Sequence, residues 1–136
     1  MKSSFEYGIQ SKLEQIGKSG CYFLSILKAF DMLDYILPSY NYFIEQGWMD
    51  KECFVKDPVK IVWYLSGGYD YTVSKTSTFD PKADIKIAYY YNPKTKLHHF
   101  VLIDNDKKVV FDPLGESNTV KNGYTESYRL FYRKRT

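Results

Sequence analysis

"GCYFLSILKAFDMLDYI", residues 20–36, is apolar on nearly every face. That pattern suits a helix buried on all sides better than one lying on a surface. Pro38 follows closely and is expected to stop it. Just upstream, QIGKSG at 15–20 is a short polar, glycine-punctuated lead-in, and Cys21 stands where it turns into helix. Downstream, Ser39 is placed to cap a second short helix through Gln46, with Gly47 closing it. Asp57-Pro58 then sets an N-cap and a first-turn proline ahead of VKIVWYLS, which Gly67 ends. Three helices are therefore expected before the glycine pair Gly67-Gly68.

Behind that pair the periodicity changes to strand-like runs: YDYTVS at 69–74, DIKIAYYY at 84–91, HHFVLID at 98–104, KVVFD at 108–112 and SYRLFYRK at 127–134. NPKTK at 92–96 and the Asn105-Asp106 pair read as hairpin turns. The expected class is α+β, with N-terminal helices, the cysteine-bearing central helix among them, packed on a C-terminal antiparallel sheet. No repeat, linker or low-complexity tract divides the chain. Residues 1–136 are expected to form one domain, with a helical half over 1–68 and a sheet half over 69–136.

Composition narrows the function classes. The chain has 136 residues, 44% of them hydrophobic, enough for a sizeable core. Its apolar runs fall short of the roughly 18 residues that span a bilayer, and MKSSFEYG lacks the apolar centre of a signal peptide. The expectation is a cytoplasmic protein that binds no membrane. With 19 basic and 16 acidic residues the net charge is only +3, too small an imbalance to indicate nucleic acid. Arg133-Lys134-Arg135 reads as a solvated end. Two cysteines without a spaced series point to free thiols rather than a disulfide framework. The 14 tyrosines and 9 phenylalanines serve sheets, cores and binding surfaces alike and select no function.

The two histidines of the chain both lie in HHFVLID. If Asn105-Asp106 is a two-residue turn, Asp104 faces Lys107 and His99 lies directly opposite Asp112. Directly opposed residues have Cβ atoms about 4.5–5.5 Å apart, within reach of an imidazole–carboxylate hydrogen bond. Asp104 lies roughly 17 Å along the same strand from His99 and cannot orient its ring. His98 points to the other face. A thiol at a helix start is favoured as the nucleophilic thiolate by the dipole and the free amides, which fits Cys21. A cysteine nucleophile, a histidine base and an orienting acid are the parts of acyl transfer. The Cys21 backbone amide and the Gln15 side-chain amide are candidate oxyanion donors.

Other readings stand beside these. Asp112 equally suits a turn in front of Pro113, and Gln15 a surface position at the helix entry. Cys53 reads as structural, and His98 as an imidazole hydrogen-bonded in or beside the sheet. Cys21, Cys53, His98 and His99 lack the clustered spacing of a zinc site. GGYDY at 67–71 lacks the continuation of a phosphate loop. AYYY at 88–91 reads as a strand packed on both faces rather than a base-stacking platform.

Gln15 six residues before Cys21, then His99 in an apolar strand, then Asp112 at the end of the next strand, resembles the papain-like cysteine peptidase superfamily. Within it, HHFVLID followed by VVFDPLG is most similar to the bacteriocin-processing peptidases of bacterial exporters. The resemblance spans residues 15–115. Tyr22 departs from the glycine those exporter peptidases carry after the cysteine and matches the aromatic of papain. The resemblance implies a papain-like fold and a cysteine peptidase acting on a peptide or amide bond of a peptide or protein substrate, with no cofactor and no metal. Cys21 would attack, His99 shuttle the proton, Asp112 orient His99 and Gln15 hold the oxyanion. Two alternatives use the same framework: a catalytically idle papain-like domain that binds a protein partner, and an acyltransferase or deamidase built on the same triad.

Overall fold

The computed structural model describes residues 4–135, and in the first helix the side chains of residues 4–7, 9 and 10 lie outside the description. Residues 1–3 and 136, which the single-domain expectation also covers, lie outside it too. The chain is α+β, with helices first and a five-stranded antiparallel sheet behind them. The helices are α1 (Ser4–Ser19), α2 (Cys21–Ala29), α3 (Ile36–Glu45), α4 (Pro58–Leu65) and α5 (Asn118–Asn122). The strands are β1 (Tyr71–Thr76), β2 (Ile85–Asn92), β3 (Leu97–Ile103), β4 (Val109–Phe111) and β5 (Tyr124–Arg133), in the order β1-β5-β2-β3-β4. Among the described residues no helix is long and apolar enough to cross a membrane.

The sheet separates two apolar clusters. On the helical side, Phe23, Ile26 and Leu27 of α2 are fully buried with Phe43, Ile61, Ile87 and Phe131. Each such side chain contributes on the order of 2 kcal/mol by leaving water. The smaller cluster joins Ala88, Val101, Ile103 and Leu130, with Phe79 and Val120 against it. Alternation along β3 accounts for the division, since Phe100 and Leu102 serve the first cluster and Val101 and Ile103 the second.

The helix expected over 20–36 ends early, at Ala29, and the one expected from Ser39 begins at Ile36. α2 ends at Ala29 because Asp31 adopts φ +59, with its amide donating to the Lys28 carbonyl at 3.0 Å and the Met32 amide to that of Leu27 at 2.9 Å. This is a Schellman closure with aspartate where glycine is usual. After a 3-10 turn at Leu33–Tyr35 the chain re-enters helix at Ile36. Pro38 therefore lies in the first turn of α3, where its missing N–H costs no helical bond, and it stops nothing. Ser39 is buried within α3 and does not cap it. The same closure ends α3 at Gly47 (φ +78) and α4 at Gly67 (φ +82), as read from the sequence. Asp57 caps α4 by accepting the Lys60 amide at 3.1 Å.

α1, which takes in the polar lead-in, and α5 lie in segments to which no individual element was assigned from the sequence. The basic end is also more than a solvated tail: Arg133 belongs to β5, with its guanidinium 3.8 Å from the Tyr69 ring centroid, and Arg135 donates to Asp84 at 2.8 Å.

Candidate active site

Cys21 is the first residue of α2, so its amide and the next two have no partner within their own helix. Gly20 makes the junction with α1 possible: its amide donates to the Ile16 carbonyl at 2.7 Å, and a Cβ there would collide with that oxygen.

His99 and Asp112 meet, though not by the expected register. The β3–β4 loop has three residues, 105–107. The Asp104 amide donates to the Lys108 carbonyl at 2.9 Å, and Lys107 takes φ +66. A register shift follows, so that β4 pairs Ile103 with Val109 and Leu102 with Phe111. Continued, that register sets Asp112 opposite Val101 rather than His99. The extra loop residue and the bulge each displace the pairing by one, and a displacement of two keeps the face. Asp112 thus remains on the side of β3 that carries His99, as a diagonal neighbour, and its Oδ1 lies 2.6 Å from His99 Nε2. Both side chains are about 95% buried, at 4% and 5% exposure.

Burial opposes charge on both groups, and in both the partners win. The His99 imidazole is desolvated, yet hydrogen bonding to Cys21 and Asp112 holds its pKa above the usual value. Asp112 is desolvated too, but bonds from His99, the Leu114 amide and Ser117 hold its carboxyl below the usual range. An ionised carboxylate only accepts, so Nε2 donates to it and Nδ1 is left to exchange a proton with Cys21. The same Oδ1 also accepts the Leu114 amide at 2.9 Å, so the carboxylate that meets His99 sits in a turn ahead of Gly115 as well.

Gln15 is not brought to the sulfur. It lies within α1, one helical stretch before Cys21, and its Nε2 donates to Ser19 Oγ at 3.1 Å. Ser19 and Cys21 line the same cleft of about 790 Å³, a volume ordinary for a ligand site. His98 does not line it but stacks on Tyr89, which does, and lies 3.5 Å from Glu126. Cys53 is buried at the cleft wall, and burial, with Asp50 and Cys21 nearby, pushes its pKa up to about 11. It is therefore an inert thiol beside Cys21. A depression of about 440 Å³ between Asp84–Lys86 and Leu102–Asp106 holds none of these residues.

Sequence reading missed Ser117, which accepts the Val120 amide as the α5 N-cap while bonding to Asp112. Its only signal is a serine immediately before a short polar helix. Tyr22 was noted as an aromatic after the cysteine. Its ring stacks on Phe100 with centroids 4.5 Å apart and ties α2 to β3.

A family model described as "Protein of unknown function, DUF261" matches residues 9–133, and the chain belongs to that family. No curated protein and no solved structure matches the chain.

Proposed function

We propose that this member of the DUF261 family is a papain-like cysteine hydrolase that cleaves a peptide or amide bond through Cys21, His99 and Asp112. The observation that carries the proposal is the buried 2.6 Å bond between His99 and Asp112, with Cys21 at the start of α2 among the groups that raise the His99 pKa. A histidine used only for packing has no need of an ionised carboxylate behind it and a thiol before it.

In the proposed reaction His99 Nδ1 takes the Cys21 proton and the sulfur attacks the substrate carbonyl. The resulting imidazolium, held by Asp112, returns the proton to the leaving amine. Water then attacks the thioester, giving its proton to His99 and releasing the acid and the free thiol. The oxyanion is held by the Cys21 amide and by Gln15, whose amide leaves Ser19 to reach it. The two cysteines are unbridged, which fits action in the cytoplasm.

One observation favours the idle-domain reading, namely that the Gln15 amide is engaged by Ser19. A defined mixture of unstructured peptides, incubated with wild type and Cys21→Ala and read by mass spectrometry, separates the two. New termini formed by wild type alone support the hydrolase, and an unchanged mixture supports the idle domain.

A further inference from the structure

The sheet floor of the cleft carries an unneutralised pair of cations. Lys75 of β1 and Arg129 of β5 are directly opposed in the register, and both line the cleft that holds Cys21. Like charges facing each other across an antiparallel pair destabilise the sheet. The ion pairs of the described residues join His98 to Glu126, His99 to Asp112 and Arg135 to Asp84, so none neutralises Lys75 or Arg129.

Arg129 is also held ready. Its guanidinium lies 5.1 Å from the Tyr89 ring centroid and 5.3 Å from that of Phe100, so two aromatic faces fix its plane. Its hydrogen bonds, to Ser127 Oγ at 2.8 Å and the Tyr128 carbonyl at 3.5 Å, both leave from Nη1. Nε and Nη2 remain as donors in a fork that matches a carboxylate. One carboxylate, that of the exposed Glu52, also lines the cleft, and Phe54, another lining residue, is 68% exposed. The cleft thus offers two cations from the sheet together with the apolar side chains of Phe54, Val55 and Pro58.

We propose that Arg129 and Lys75 form a carboxylate subsite beside Cys21, so that the substrate carries an acidic group close to the scissile bond, next to an apolar or aromatic side chain. The substrate class rests on the hydrolase reading, whereas the anion site itself is testable without turnover. That carboxylate is either an acidic side chain or a chain end.

The first arm compares alkylation of Cys21 by iodoacetate and by iodoacetamide, located by peptide mapping, in wild type, Arg129→Gln, Arg129→Lys and Lys75→Gln. The iodoacetate-to-iodoacetamide rate ratio is expected to fall about fivefold in Arg129→Gln, the size of a partly screened charge pair. It should fall by smaller factors in Lys75→Gln and in Arg129→Lys, which keeps the charge but not the fork. Lys75→Gln lies on an exposed position and keeps the test open if Arg129→Gln folds poorly. An unchanged ratio in both glutamine variants overturns the subsite. Sluggish alkylation by both reagents at neutral pH instead overturns the nucleophile, and the ratio is then read at about pH 9, where an ordinary thiol ionises.

The second arm measures protection of Cys21 from iodoacetamide by millimolar acetyl-Phe-Glu-amide, acetyl-Phe-Gln with a free carboxyl end, and acetyl-Phe-Gln-amide. Protection by the first identifies a side-chain carboxylate, and by the second a chain end. Equal protection by all three overturns the proposal.

Discussion

Replacing Asp112 by alanine and by asparagine separates what its bonds contribute from what its charge contributes. Alanine removes the acceptor of His99 Nε2, of the Leu114 amide and of Ser117 together. The Leu114 amide can turn to water, but the His99 N–H is left buried without a partner. A buried unsatisfied donor costs about 1–3 kcal/mol, and the loss of a charged partner adds to it. Asp112→Ala should therefore lose about 3 kcal/mol, or roughly 10 °C in Tm for a chain of this size. Asparagine keeps Oδ1, the atom that takes both the His99 and Leu114 bonds, so Asp112→Asn should lose only about 1 kcal/mol, and that part is charge.

The charge part has a definite pH window. The His99 pKa is raised on folding, so its contribution is complete below about 6.5 and is lost as pH rises through the folded value. The Asp112 pKa is lowered, so its contribution is complete above about 3.9 and is lost as pH falls through the folded value. The stability gap between wild type and Asp112→Asn should be widest between those two values. Urea denaturation of the three proteins across that range measures it, and NMR titration follows the His99 ring with His98 as the internal reference. Equal losses in alanine and asparagine, or a gap that ignores pH, would refute the reasoning.

Gln15→Ala should lower kcat by about 10² to 10³ with KM little changed, because an oxyanion donor acts in the transition state; an effect on KM alone would assign Gln15 to binding. Gly20→Ala should cost about 2 kcal/mol and slow Cys21 alkylation, since the new Cβ meets the Ile16 carbonyl at the junction that presents the thiol; thermal unfolding at wild-type Tm would contradict the close approach. Ser25→Ala should raise stability by about 1 kcal/mol, because the Ser25 hydroxyl is fully buried without a hydrogen-bond partner among the described residues; a loss of that size would reveal a partner.

What was legible in the sequence had local chemistry behind it. Asp57-Pro58, Gly47 and Gly67 name a cap, a first turn and two left-handed closures, and each is found at its position. Asp31 performs the same closure as Gly47, but aspartate is common in many other settings, so α2 was read on to Ile36 and α3 was started late, at Ser39. α1 escaped notice because its sequence, SFEYGIQSKLEQIGKS, is largely polar and two glycines interrupt it. The meeting of His99 with Asp112 was readable because a short turn joins the strands that carry them, and the place of Cys21 because a polar lead-in gives way there to an apolar helix. The strands' register was not, since the three-residue loop depends on Asp104 holding the Asp106 and Lys108 amides. The pairing of Lys75 with Arg129 was beyond sequence reading, because β5 enters the sheet between β1 and β2 and nothing local announces that neighbour.

The central claim is that Cys21 and His99 act as one chemical unit, and the pH profile of Cys21 alkylation tests it most directly. Iodoacetamide rates at Cys21 are followed from about pH 5 to about pH 9 in wild type and His99→Ala, with folding checked by circular dichroism. Buried Cys53, its pKa near 11, serves as the unreactive internal reference. Because hydrogen bonds to Cys21 and Asp112 keep His99 protonated above its usual range, the account predicts brisk alkylation at about pH 6, where an ordinary thiol of pKa about 8.5 is almost wholly protonated. It also predicts that His99→Ala loses most of that reactivity. A wild-type rate that climbs only above about pH 8, and is the same in His99→Ala, would show the two groups uncoupled and would contradict the account.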